Sequence, residues 1–134
     1  MLVKLRMVFT LTLLLLLMVV TVVSASEGYW SDLGTVDLKA GSGWNDTDIR
    51  SYKMTNSNKW DVYATAKTMV TWPSVRLVNS DGMIRSDSVQ VKSKEKVYTG
   101  SDNTGTPGYI YWAQAKPAWN QLGTDSIRFQ IRAR

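Results

Sequence analysis

The chain closes on Asp125-Ser-Ile-Arg-Phe-Gln-Ile-Arg-Ala-Arg134, where apolar side chains hold the odd positions from Ile127 to Ala133 and polar or basic ones hold the even positions. Successive side chains of a β-strand point to opposite faces, so this register sends Ile127, Phe129, Ile131 and Ala133 to a core. Arg128, Gln130, Arg132 and Arg134 then face water or an acidic partner.

The same spacing recurs upstream, with apolar residues at two rather than at three and four, and with frequent β-branched and aromatic types. Strands are expected over residues 35–40, 48–54, 60–68, 75–78, 83–87, 88–98, 109–116 and 125–133. Trp60, Val62, Ala64 and Ala66 share one face of the third. Between these segments lie Gly41-Ser42-Gly43, the hairpin turn Asn79-Ser80-Asp81-Gly82, and a long loop from Gly100 to Gly108. About seven or eight short strands with polar turns predict an all-β chain, a small antiparallel β-sandwich or barrel. Because consecutive strands are usually neighbours, 109–116 is expected to pair with 125–133, leaving Trp119, Asn120 and Gln121 at one end. Tyr29 and Trp30 are expected to pin an otherwise loose arm, Ser26 to Asp32, to the body.

At the N-terminus Lys4 and Arg6 precede an apolar run from Met7 to Val23, followed by Val23-Ser24-Ala25. A basic start, an apolar centre and small residues before the cut are the signature of a cleaved secretory signal peptide, residues 1–25. The domain division is therefore 1–25 signal peptide and 26–134 single β-sandwich domain, secreted to the exterior, in a thiol-free form that suits a bacterial product. Lys4 and Arg6 leave with the leader, so the formal +5 falls to +3 on the exported part. That is mildly basic, and too dispersed for a nucleic-acid binder. With no cysteine to form disulfides, the core must rest on aromatic and aliphatic burial, and all six tryptophans lie in the exported part.

Catalytic residue types are scarce. Histidine and cysteine are both absent, which removes the usual triads and zinc sites. Glu27 and Glu95 are the only glutamates, and most aspartates fall where turns are expected. Asn45-Asp46-Thr47-Asp48 and Ser101-Asp102-Asn103-Thr104 cluster hard oxygens without the spacing of a calcium loop, and turn chemistry accounts for them. No enzyme activity, cofactor or metal is expected.

Two groups remain as ligand-binding candidates. The aromatic group is Trp44 and Trp119, in polar loops where burial is not assured, with Tyr109, Tyr111 and Trp112, which put aromatic groups on both faces of one strand. Such rings can stack on sugars or settle at a lipid interface, having a flat apolar body and a polar tip. The basic group is Arg128, Arg132 and Arg134 on the closing strand and Lys92, Lys94 and Lys96, which share one parity on another segment. The alternative role of these cations is to keep sheets soluble and protect their edges.

The expectation is a secreted, non-catalytic β-sandwich that binds an extracellular or cell-envelope component, an anionic polymer, glycan or lipid surface, with possible membrane-surface contact and no nucleic acid. In small size, cationic charge, tryptophan content and absence of cysteine the chain resembles a class of secreted bacteriocins, which implies an antimicrobial or toxin acting on bacterial envelopes. The resemblance covers composition and transfers no residues. A self-assembling matrix protein, pairing through sheet edges, is the third reading.

Overall fold

Eight strands form: β1 (Gly34–Lys39), β2 (Asn45–Tyr52), β3 (Lys59–Lys67), β4 (Ser74–Val78), β5 (Val89–Gln90), β6 (Val97–Ser101), β7 (Ile110–Lys116) and β8 (Thr124–Ala133). The computed structural model describes residues 28–68, 71–102 and 107–134, and the expected signal peptide lies outside them. The strands make two four-stranded sheets, β1-β8-β3-β6 and β2-β7-β4-β5, with every pairing antiparallel. The chain is a small all-β sandwich.

The closing strand occupies the interior of its sheet, paired with β1 on one side and β3 on the other. Its odd positions Ile127, Phe129, Ile131 and Ala133 are fully buried. Cross-strand partners share a face, and Ile131 meets Val62, Phe129 meets Ala64, and Ala133 meets Trp60. The second sheet answers with Val75, Leu77, Tyr111, Ala113 and Ala115, all in the same core. Two glycines mark where that core is tightest. A Cβ on Gly100 would stand 2.4 Å from Trp60 Nε1, and one on Gly34 would stand 2.4 Å from Ile49 Cγ1. The first makes room for the indole, whose Nε1 donates to Asp87 Oδ1 at 3.2 Å, and the second lets β1 approach β2 across the open side of the sandwich.

The topology departs from the expected pairing. β7 and β8 lie in different sheets, so 109–116 and 125–133 are not partners. Among the described strands only β4 and β5 are both consecutive and paired. The reason lies in the connections: a two-residue turn would hold its strands in one sheet, whereas residues 117–123 are enough to cross the ~10 Å between sheets. That crossing is anchored, because the buried Gln121 donates from Nε2 to the Leu38 carbonyl at 2.6 Å and Ala40 N donates to the Gly123 carbonyl at 2.7 Å. Trp119 and Asn120 do sit exposed at one end, as expected.

Smaller differences have local causes. Residues 83–87 make isolated bridges rather than a strand, at Val78–Ile84 and Ser86–Asp102. The turn before them is the expected one, with Gly82 at φ 75° and its N–H bonded to the Asn79 carbonyl at 3.0 Å. Asn45-Asp46-Thr47-Asp48 is the first half of β2 rather than a turn. A register shift between Ala64 and Ala66 rotates Ala66 out of the core face, and Ala66 is exposed. The described part of the arm is held by Trp30, which packs edge-on to Tyr63 at 6.1 Å, and by Ser31 N, which donates to the Ile131 carbonyl at 2.8 Å, whereas Tyr29, also expected to pin it, is exposed.

Phe129 is fully enclosed between the sheets. Phe129→Ala is expected to lower unfolding free energy by about 3 to 5 kcal/mol, measured by urea denaturation.

Candidate functional site

The outer face of the first sheet carries the arginines, and what they meet there is Asp61. This carboxylate on β3 is fully buried although it points away from the core. Arg132 donates to Oδ2 from Nε at 3.0 Å and Nη2 at 2.8 Å. Arg134 donates to Oδ2 from Nε at 2.8 Å and to Oδ1 from Nη2 at 2.9 Å, and Thr99 Oγ1 adds a bond to Oδ1 at 2.6 Å. Trp30 lies over the cluster, with the Arg132 guanidinium carbon 4.8 Å from its ring centroid. Burial by itself would raise the Asp61 pKa, but the hydrogen bonds from Arg134, Thr99 and Arg132 and the Arg134 charge outweigh it and hold the carboxyl below its ordinary value. Arg132 and Arg134 are thus tied into a structural ion cluster. Arg128 stands exposed on β8.

The expected lysine face does not form. Residues 92–96 are an irregular connection between β5 and β6, with Glu95 at φ 59° and its N–H bonded to the Ala64 carbonyl at 2.7 Å. Alternating parity has no meaning off a strand. Lys92 lies 4.9 Å from the centroid of Trp72, and Lys96 5.6 Å from that of Tyr98, while Lys94 is exposed. The tyrosine pair also divides: Tyr111 is buried in the core, Tyr109 is exposed, and Trp112 is half-buried on the outer face of the second sheet.

What the fold does assemble is a groove at one end of the second sheet. In this antiparallel sheet the starts of β2 and β4 lie beside the ends of β7 and β5, in register as Asn45–Ala115, Ser74–Lys116 and Ser74–Gln90. Each of three tryptophans adjoins one of these strand ends: Trp44 before β2, Trp72 before β4, Trp119 after β7. Together they frame an open groove of about 710 Å3, with Lys116, Gln90 and Asn120 among its polar lining. Trp44 is fixed by the Arg76 guanidinium, 4.1 Å from its ring centroid, and Arg76 Nε in turn donates to Gln114 Oε1 at 2.9 Å. Gln114 completes the chain by donating to Asp46 Oδ1 at 2.7 Å. Trp72 is 47% exposed and Trp119 is 96% exposed. A tryptophan left this wet forfeits a large burial gain.

Of the sequence candidates, then, Trp44 and Trp119 come together, and Tyr109, Tyr111, Trp112 and the arginines do not join them. Trp72, Lys116 and Gln90 were missed. Trp72 precedes Pro73 at a strand boundary, and the criterion that selected Trp44 and Trp119, an indole outside a regular strand, selects it equally. A second groove, of about 1030 Å3, runs between the arm and β2; it contains Asp32, Asp46 and Asp48, and its Trp30 is engaged by Arg132 and Tyr63. Among the described residues no three acidic side chains gather as a metal site.

No known protein family and no curated protein matches this chain. Among solved structures it is similar to the EclA C-terminal domain, a sugar-binding protein, at 15% identity and a TM-score of 0.38 over 75% of this chain and 79% of that one. A likeness of that extent assigns neither family nor ligand.

Because the Asp61 pKa is lower in the folded protein than in the unfolded chain, its stabilisation is complete above the ordinary carboxylate value, about 3.9, and is lost as pH falls through the folded value. Asp61→Asn is expected to cost about 1 to 3 kcal/mol at neutral pH, because it removes the carboxylate charge to which both guanidinium groups bond. Denaturation curves of both proteins should converge on acidification below about pH 4.

Proposed function

We propose that this protein is a non-catalytic binding module, exported by its leader, that holds a glycan in the groove of Trp44, Trp72 and Trp119. The observation that carries this reading is the convergence of three incompletely buried indoles with Lys116, Gln90 and Asn120 around one open groove. Sugars present flat C–H faces flanked by hydroxyls. Indole faces take the former, and amide, hydroxyl and ammonium groups take the latter. The groove volume suits a few saccharide units. No carboxylate lines the groove among the described residues, so the acid–base pair that glycoside cleavage uses is not provided there, which supports binding rather than turnover.

Retention on insoluble polysaccharides and titration with soluble oligosaccharides test the reading. Trp72→Ala or Trp119→Ala should weaken binding by about 10- to 30-fold, the cost of removing one anchoring aromatic. The melting temperature of the Trp119 variant should stay within about a degree or two, since an exposed side chain adds little to stability. Undiminished binding by the triple alanine variant overturns the proposal.

One observation favours a second reading. Leu122 is 91% exposed in the same connection as Trp119, giving the tip an apolar pair that could enter a lipid headgroup layer. Co-sedimentation with phosphatidylcholine and phosphatidylglycerol vesicles distinguishes the two: Leu122→Asp should abolish vesicle binding if the tip inserts, and no sedimentation of the parent protein retires this reading.

A further inference from the structure

We infer that the saccharide is anionic, carrying a carboxylate or phosphate that Lys116 reads; this rests on the glycan reading of the same groove. Among the described residues that line the groove none is acidic, and Lys116 is the charged one. The carboxylates nearest in sequence are committed elsewhere. Asp87 accepts from Trp60 Nε1 at 3.2 Å and from Ser101 N at 2.9 Å, and Asp46 accepts from Gln114 at 2.7 Å.

Cations, by contrast, accompany each indole. Arg76 stacks on Trp44 at 4.1 Å, Lys92 on Trp72 at 4.9 Å, and Lys116 lies three residues before Trp119. Lys67 at the end of β3 extends the cluster by donating from Nζ to the Lys92 carbonyl at 3.2 Å. Asp125, near Lys67, is the acidic counterweight at this end. The groove between the arm and β2 has the opposite balance, with Asp32, Asp46 and Asp48 against the single cation Arg50 in its walls. A ligand bearing negative charge is drawn to one groove and repelled from the other, and the effect weakens with salt because these groups are exposed. An ammonium is a compact point charge with three donors, which suits a single carboxylate or phosphate oxygen on a pyranose rather than a planar bidentate partner.

The test is calorimetric titration with three probes: a neutral gluco-oligosaccharide, an oligogalacturonate, and a gluco-oligosaccharide phosphorylated at a 6-hydroxyl. The oligogalacturonate or the phosphorylated sugar should bind at least about fivefold more tightly than the neutral sugar at low salt, with the advantage shrinking toward 0.5 M salt. The two anionic arms show which group the site takes. Lys116→Gln should collapse the ratio of anionic to neutral affinity and Lys116→Arg should retain most of it. Lys59→Gln, a change to an exposed lysine at the far end of β3, should leave the ratio as it was. Equal affinity for neutral and anionic probes, or an equal fall with Lys59→Gln, overturns the inference while the glycan reading stands. Failure of all three probes to bind, or binding unaffected by the triple tryptophan variant, overturns the glycan reading itself.

Discussion

One strand with a greasy face and a cationic face sits in the middle of the first sheet, and the remaining packing is arranged around it. β8 is paired along both edges, so its register fixes that of β1 and β3. Slipping it by one residue would drive arginines between the sheets and expose Phe129 and two isoleucines, an exchange no neighbouring group could offset. In a chain without cysteine, that penalty takes the place of a covalent staple. The opposing sheet supplies small residues, Ala113 and Ala115, to the same core as the bulky Trp60 and Phe129.

The outer side of the same strand solves a different problem. Asp61 is taken out of water on a sheet surface, and the loss of its hydration is offset only because two guanidinium groups and a threonine hydroxyl surround it. Lys53 is treated likewise, fully buried with its Nζ 2.6 Å from Asp102 Oδ2 and 2.6 Å from the Arg134 carbonyl, and bonded also to the Ser57 carbonyl. Both clusters converge on the last residues of β8. Charges that could have been spent on a ligand instead lock the strand and the Trp30 arm in place.

The incompletely buried indoles Trp44, Trp72 and Trp119 gather instead on the other sheet, at one end of it. There the antiparallel arrangement brings the starts of two strands beside the ends of two others, with a tryptophan outside the core near three of these strand ends. Arg76 shows how the fold supports such a side chain: held by Gln114, it is itself a platform for Trp44. The groove is thus half rigid, at Trp44, and half free, at Trp119.

Alternation of side chains settled the strand class of this protein and the buried face of β8, because a pleated backbone has a period of two wherever it occurs, and turn residues settled the hairpin at Asn79 to Gly82. The lack of histidine and cysteine likewise narrowed the chemistry, since residue types that are missing cannot be supplied by folding. Trp44 and Trp119 were legible as candidates because indoles in polar loops are conspicuous in a sequence. That they share a groove with Trp72, that β7 and β8 belong to different sheets, and that Arg132 and Arg134 answer to Asp61 were decided only in three dimensions. Asp61 lies more than sixty-five residues from both arginines, and Trp72 and Trp119 lie 47 residues apart along the chain. Contacts of that separation depend on which strands pair, and local spacing fixes the face on which a side chain lies without fixing what is set against it.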